Sequence, residues 1–457
     1  MGWPNNYVQG VYDSSGKVVG IDDGAGGEIN LFNGLVASPK LLAIGDSRTS
    51  QGFAKTTASD ITGLRLDNHG WTNWYRSLSK NRHSVINSGV SSRTAVGLAA
   101  NDESVITPNT LAKCVINPRA NDALIWLGTN DIAAGTSGYN VAQAIRTIAN
   151  AAKDSGKRTT VMCEISRVSG LTAAQQFQLM ELQRYLYRYS SFGEFGLIDP
   201  SARLTDWAQT VNYFVQSGVF YDSTHPNAVG AKIIAEEVNN YYSQFYPSSP
   251  VYFNHHYTDD YATNTTSNNR LTNGMYPVSL AGWTGASVAG AVTAVTSTRI
   301  ASPDGYGWAV ACDITVNAAT SVNLQSRAYD ATTAFVSGDT IHAETNYWIQ
   351  GNAGVGTQSG VIAPYLRCDI NTTGGTGAGR ITDLWPSNNM LEFPQTTNFE
   401  GTLKTLPYYW TGLEGNLAPN VHLGVRFSGA GSARIIFGKT AVVKNNPYIN
   451  NGDWVAS

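Results

Sequence analysis

At 457 residues and 42 % hydrophobic side chains, the chain has material for two or three domains and a sizeable core. Only 14 % of residues are charged, against about 25 % in an average domain. The net charge of −3 comes with no Lys/Arg cluster able to neutralise a row of phosphates, which argues against a nucleic-acid partner. No apolar run approaches the roughly 18–20 residues that span a bilayer, so no membrane segment is expected.

The chain carries 46 Gly, 23 Tyr and 11 Trp, which suits a β-rich protein working outside cells on carbohydrate, although β proteins of other functions share it. Cys114, Cys163, Cys312 and Cys368 lie far apart without a CxxC spacing, and read as buried free thiols. The opening MGWPNNYVQG lacks the basic start and apolar run of a secretory leader. Either a leader has been removed, or the protein reaches an extracellular or virion-associated location another way.

Residues 1–38 read as a β-hairpin leader, with strand-like pieces at Tyr7–Tyr12 and Lys17–Ile21 around the turn 13–16. Residues 39–246 alternate buried strands (Leu41–Gly45, Ala123–Gly128, Thr160–Ile165, Gly196–Ile198) with helices (Val141–Lys153, Ala173–Tyr189, Ala228–Tyr242). That alternation predicts an α/β fold with a parallel sheet covered on both faces. Ligands of such sheets bind beyond the carboxyl ends of the strands. Residues 247–259 read as a Pro/Ser-rich linker. Residues 260–457 show short alternating runs (Trp308–Val316, Val361–Ile370, Ala433–Val443) between Gly, Asn, Asp and Pro turns, predicting an all-β sandwich of jelly-roll type. No internal repeat is visible.

Three segments carry chemistry. Leu41-Leu42-Ala43-Ile44-Gly45-Asp46-Ser47 ends a buried strand in a serine at the sheet rim. If a helix starts there, its unpaired N–H groups favour a developing negative charge. Leu127-Gly128-Thr129-Asn130-Asp131 places an amide donor at another strand end. Tyr221-Asp222-Ser223-Thr224-His225-Pro226-Asn227 puts an acid three residues before a histidine, close enough to fix its tautomer on one turn. Singly, each also reads as a turn or a helix cap.

In this order, the three segments resemble the SGNH (GDSL-type) hydrolase family over residues 39–246. The resemblance implies a three-layer α/β/α serine esterase needing no cofactor. Ser47 would be the nucleophile, His225 the general base and Asp222 its orienting acid. Asn130 and the Ser47 N–H would be oxyanion donors. The family's second block usually reads Asn-x-x-x-x-Gly-x-Thr, its Gly N–H completing the oxyanion hole. Counting from Asn87, that place holds Ser92, with Gly89 three residues earlier. Ser92 supplies the donor if its backbone adopts the needed conformation, and Gly89 is the alternative.

Arg48, Arg93 and Arg167 follow the expected strands and are candidate contacts to a carboxylate-bearing substrate; the alternative for each is a surface arginine or a structural ion pair. Gly374–Gly379 lacks the Lys and helix of a phosphate loop, and no His/Cys spacing suggests a metal.

In the C-terminal region Trp283, Trp308, Trp348, Trp385, Tyr408, Tyr409 and Trp410 are candidate sugar platforms, or core. A hairpin leader, a hydrolase and a β-sandwich in sequence resemble bacteriophage tail-fibre or tailspike proteins that deacetylate surface polysaccharides. That arrangement implies a homo-oligomer, a trimer in a tail appendage. The expected activity is hydrolysis of O-acyl groups, chiefly O-acetyl, on a bacterial polysaccharide. The rivals are a lipase or thioesterase of the same family, or a receptor-binding protein with an inert hydrolase domain.

Overall fold

The structure, a computed structural model, describes residues 9–12, 18–22, 28–30, 39–58, 61–80, 82–102, 110–208, 215–246, 283–287, 292–305, 307–326, 336–371, 378–386, 392–410 and 420–444. The chain divides into two compact units, Met1–Ser38 and Pro39–Ser457. In the first, β1 (Gln9–Tyr12), β2 (Val18–Asp22) and β3 (Glu28–Asn30) form a three-stranded antiparallel sheet, one strand more than the expected hairpin.

The second unit begins with β4 (Lys40–Gly45), whose residues 41–45 are all buried, and α1 (Ser47–Ser50). An antiparallel hairpin, β5 (Phe53–Ala58) and β6 (Ile61–Asp67), then precedes α2 (Trp71–Leu78) and β7 (Ser84–Gly89). There follow α3 (Ala95–Ala99), β8 (Asp122–Trp126), α4 (Thr129–Ala133), α5 (Gly138–Asp154) and β9 (Arg158–Met162). The segment closes with α6 (Ala173–Ser191), β10 (Gly196–Ile198), α7 (Ser201–Leu204) and α8 (Ala228–Tyr242).

Five strands form a parallel sheet in the order β10-β9-β8-β4-β7. Apolar strands such as Leu41–Ile44 and Ala123–Trp126 need cover on both faces, because their side chains alternate between them. One face packs Val141, Ile145 and Ile148 of α5 with Leu179, Leu182 and Leu186 of α6. These positions repeat at three- and four-residue spacing, the stripe an amphipathic helix presents. Helix α6 starts on a reciprocal Thr172/Gln175 cap. The other face packs Trp71, Trp74 and Tyr75 of α2 with Ala231, Ile234 and Val238 of α8. The expected α/β/α layering is present.

The C-terminal region is all-β, as expected. It comprises β11 (Trp283–Ser287), β12 (Val292–Ala301), β13 (Trp308–Val316), β14 (Thr320–Ser326) and β15 (Thr340–Gln350). It continues with β16 (Ser359–Asn371), β17 (Ala378–Trp385), β18 (Phe399–Lys404), β19 (Tyr408–Tyr409) and β20 (Asn420–Lys444). Its connectivity differs from a stand-alone antiparallel sandwich. The 25-residue β20 pairs with β14 and β16 through its first half and with β13 and β15 through its second. At the far edge β17 pairs in parallel with β6, so the hairpin next to the Gly-Asp-Ser motif completes a 12-stranded mixed sheet.

Helix α2 meets this sheet directly. Trp74 packs edge-on against Phe399 with ring centres 5.8 Å apart, and Ser77 Oγ lies 2.8 Å from Tyr347 Oη. Burying each such aromatic contributes roughly 1.5–3 kcal/mol, so several together fix the sheet against the helix. The expected linker, 247–259, lies outside the described residues.

Candidate active site

The three motifs converge at the carboxyl ends of β4, β7 and β8. Asp46 caps α1 by accepting the Arg48 N–H at 2.9 Å, which sets Ser47 at the first helical position. Ser47 Oγ lies 2.9 Å from His225 Nε2, and His225 Nδ1 lies 2.7 Å from Asp222 Oδ2. The other Asp222 oxygen accepts the Thr224 and His225 backbone N–H groups, each at 2.7 Å. Burial opposes the Asp222 charge, but the imidazole and the two N–H groups outweigh it and hold the carboxyl below its usual pKa. An ionised Asp222 keeps the proton on Nδ1 and leaves Nε2 as an acceptor for the serine proton.

The acid–base loop is closed on itself. The Tyr221 N–H donates to His225 O at 3.1 Å, and Asn227 caps α8 through Val229 and Gly230. The Tyr221 ring stacks on His225 with centres 5.8 Å apart.

Asn130 stands in the first turn of α4 and donates to Arg93 O at 3.0 Å. That leaves its second amide hydrogen for a ligand. Gly128 before it has φ of 137°, a conformation only glycine adopts without strain. Asp131, buried beside it, caps α3 by accepting the Ala95 and Val96 N–H groups at 2.8 and 3.1 Å.

Of the alternatives for the second donor, the geometry favours Ser92. Gly89 donates its N–H to Asn87 Oδ1 at 2.9 Å, and a Cβ there would stand 2.3 Å from Ser50 N. It is a close-packing glycine with its donor committed. Ser92 is exposed, holds a left-handed φ of 64°, and its N–H has no partner among the described residues. The family pattern places Gly here, and the conformation gives the reason. Ser92→Gly removes a strained φ worth roughly 1 kcal/mol and keeps the N–H. We expect unfolding stability equal to the parent or up to about 1 kcal/mol higher, with turnover retained within about threefold. A collapse of turnover would mean that the hydroxyl, not the backbone, is needed.

Two of the three arginines are corrected. Arg48 and Arg93 are fully buried and cannot meet a substrate. Arg48 pairs with buried Glu164, donates to Thr224 O at 2.9 Å, and reaches the Ile165 and Ser166 carbonyls. Arg93 donates to Gly45 O at 3.2 Å, to Ser88 O, and to Cys114 Sγ at 3.2 Å. Both are struts beneath the site. Arg167 keeps partial exposure, with Nε and Nη2 bonded to Thr129. Among the C-terminal aromatics, Tyr408 and Trp410 are buried, as the core alternative has it, and Trp348 and Trp385 are half-buried. Trp308 and Tyr409 are exposed, but Arg299 covers the Trp308 ring at 3.4 Å from its centre. The Trp283 side chain lies outside the described residues.

Sequence reasoning passed over Glu164, Asp131, Asn87 and Tyr221 as working parts. Asn87 ties α1 to β7, donating to Thr49 O at 2.7 Å. The four cysteines are buried and form no disulfide. Among the described residues no His/Cys/Asp/Glu cluster could hold a metal ion, and no helix is long and apolar enough to cross a membrane.

Comparison with known proteins bears on the same segment. The family model described as GDSL-like lipase/acylhydrolase matches residues 43–233. No curated protein matches the chain. Among solved structures, a lipolytic G-D-S-L protein from Veillonella parvula is 18 % identical, with 45 % of this chain and 99 % of that one covered at a TM-score of 0.34. A GDSL-like lipase from Bacteroides thetaiotaomicron is 14 % identical, with 46 % and 90 % covered at 0.35. A catalytic mutant of an acetylxylan esterase from Geobacillus stearothermophilus is 18 % identical, with 45 % and 94 % covered at 0.35. Residues 43–233 of this chain therefore match the GDSL-like lipase/acylhydrolase family model, which supports a carboxylic-ester hydrolase over that segment.

Proposed function

We propose that the protein is a serine esterase that removes short acyl groups, chiefly O-acetyl, from a hydroxyl-rich carbohydrate. The observation that carries this reading is the unbroken relay Ser47 Oγ–His225 Nε2 and His225 Nδ1–Asp222, at 2.9 and 2.7 Å. His225 takes the Ser47 proton as Oγ attacks the ester carbonyl. The oxyanion is held by the Ser47 and Ser92 N–H groups and by Asn130 Nδ2. Collapse breaks the C–O bond, and the alcohol leaves with the proton from His225. Water, deprotonated by His225, then attacks the acyl-serine, releasing the carboxylic acid and restoring Ser47.

The carbohydrate part is supported by the chemistry beside the base. His225 returns its proton to the leaving alcohol, so the group stacked on its ring is a neighbour of that proton transfer. That group is Tyr221, whose hydroxyl accepts a hydrogen bond from Gln51 Nε2 at 2.7 Å. A polar aromatic wall suits a polyol better than a lipid. The complete relay weighs against an inert adhesive scaffold.

The test is a comparison of acetyl and octanoyl p-nitrophenyl esters, with acetate release measured on a panel of bacterial capsules and O-antigens. We expect the acetyl ester to be preferred in kcat/KM, whereas a long apolar acyl groove would favour octanoyl through burial of its added methylenes. Preference for octanoyl would assign the protein to the lipases. Glycan binding without acetate release would assign it to the adhesins.

A further inference from the structure

His69 is a second histidine beside the site that the reaction above does not use. It follows β6, and its ring meets Tyr221 edge-on with centres 6.2 Å apart, while Tyr221 stacks on His225. The side chain is only 6 % exposed. Neither ring nitrogen makes a hydrogen bond among the described residues; Nδ1 is sealed without a partner, so Nε2 is the nitrogen left to meet a ligand. Buried polar groups are paired in the great majority of cases, and an unpaired one calls for an explanation. Burial first, and the charges of Arg65 and His225 after it, push the His69 pKa down to about 4, so the ring is neutral at physiological pH.

The backbone around it is held on every side. Asp67 N–H donates to Gly52 O at 2.7 Å, Asn68 N–H to Trp385 O at 3.0 Å, and Trp74 Nε1 to Asn68 O at 2.6 Å. A Cβ on Gly70 would stand 2.7 Å from Gln51 O, so the following residue is tightly packed as well. The ring is therefore placed by the backbone and by the C-terminal sheet that pairs with β6, not by hydrogen bonds of its own. No protein partner selects its tautomer. A neutral imidazole in that position can donate or accept, which is what a hydroxyl partner requires.

Resting on the proposed esterase reading, the geometry points to His69 as a substrate-positioning and specificity-determining residue. It would bind a free hydroxyl next to the ester on the alcohol side. The preferred substrates would then be partially acylated sugars or other vicinal polyols. The inserted hairpin and the C-terminal sheet would serve the reaction by holding this ring.

The test uses the full chain and three acetyl esters: p-nitrophenyl acetate, a monoacetylated methyl glycoside with a free neighbouring hydroxyl, and the same glycoside fully acetylated. In His69→Phe, kcat/KM for the monoacetate should fall about tenfold further than for the other two esters, mainly through KM, as expected for one lost hydrogen bond. His69→Gln, which restores a donor and an acceptor, should recover most of that difference. Equal losses on all three esters would show a merely structural role and overturn the proposal. So would an undiminished rate on the monoacetate, or an extra loss on the fully acetylated glycoside as well. If the parent protein cleaves none of the three, the esterase reading itself fails, a result distinct from those.

Discussion

Ser47→Ala is expected to lower turnover of p-nitrophenyl acetate by roughly 10⁵–10⁶-fold, leaving only the residual catalysis that the oxyanion donors and binding supply. The size follows from the geometry. Among the described residues Ser47 Oγ is the hydroxyl in contact with His225 Nε2, and Asp222 serves only through that imidazole. Removing the oxygen leaves a base with nothing to deprotonate but water, and an oxyanion site with no serine-bound tetrahedral species. The fold should be nearly unaffected, because the lost contact is one partly buried hydrogen bond worth about 1 kcal/mol. A melting temperature within a few degrees of the parent, together with that loss of turnover, is the predicted pair of results.

Arg48→Met should act in the opposite way, on stability first. The guanidinium sits at 0 % exposure between Glu164, Thr224 O and the Ile165 and Ser166 carbonyls, and it packs over the Trp126 and Phe220 rings. Methionine can fill much of the space, but it removes the charge paired directly with buried Glu164 and leaves only the weaker pull of Arg167 on it. Breaking a buried pair by removing one partner costs about 3–5 kcal/mol. The Thr224 carbonyl also loses its donor, and Thr224 lies between Asp222 and His225. Turnover should therefore fall as the acid–base loop loosens. Urea unfolding of Arg48→Met, Glu164→Gln and the double variant checks this. The double variant should be more stable than Arg48→Met alone, since the charge that lost its direct partner is gone. A loss under about 1 kcal/mol in Arg48→Met would contradict the strut role.

The parts legible in the sequence are those whose cause is local. Leu41–Ile44 and Ala123–Trp126 read as buried strands because every residue is apolar, and α5, α6 and α8 read as helices because their apolar residues repeat at helical spacing. Asp222 and His225 were visible as a pair because one turn carries both. What the sequence concealed depends on distant partners. The β5–β6 hairpin finds its place against β17, more than 300 positions away, and nothing near residue 60 announces that pairing. Both halves of β20 alternate, but Gly429 and Gly431 interrupt the pattern where the strand passes from one set of neighbours to the other, so the sequence did not show them to be one strand.

The arginines were misread for a related reason. A charged residue on a loop is usually solvated, and the acceptors that bury Arg48 and Arg93 are mostly backbone carbonyls, which have no sequence signature. Ser92 is the converse case. Its departure from the family's glycine looked like a weakness in the oxyanion site, whereas the backbone holds the left-handed conformation regardless of the side chain.

The central claim is that Ser47 is a nucleophile activated by His225 and Asp222. It is tested most directly by treating the protein with a fluorophosphonate and mapping the modified peptide by mass spectrometry. A single adduct on Ser47, lost in His225→Ala and forming in step with the loss of p-nitrophenyl acetate hydrolysis, is the predicted result. Full hydrolysis surviving without a Ser47 adduct, or an adduct on another residue that tracks inactivation, would contradict it.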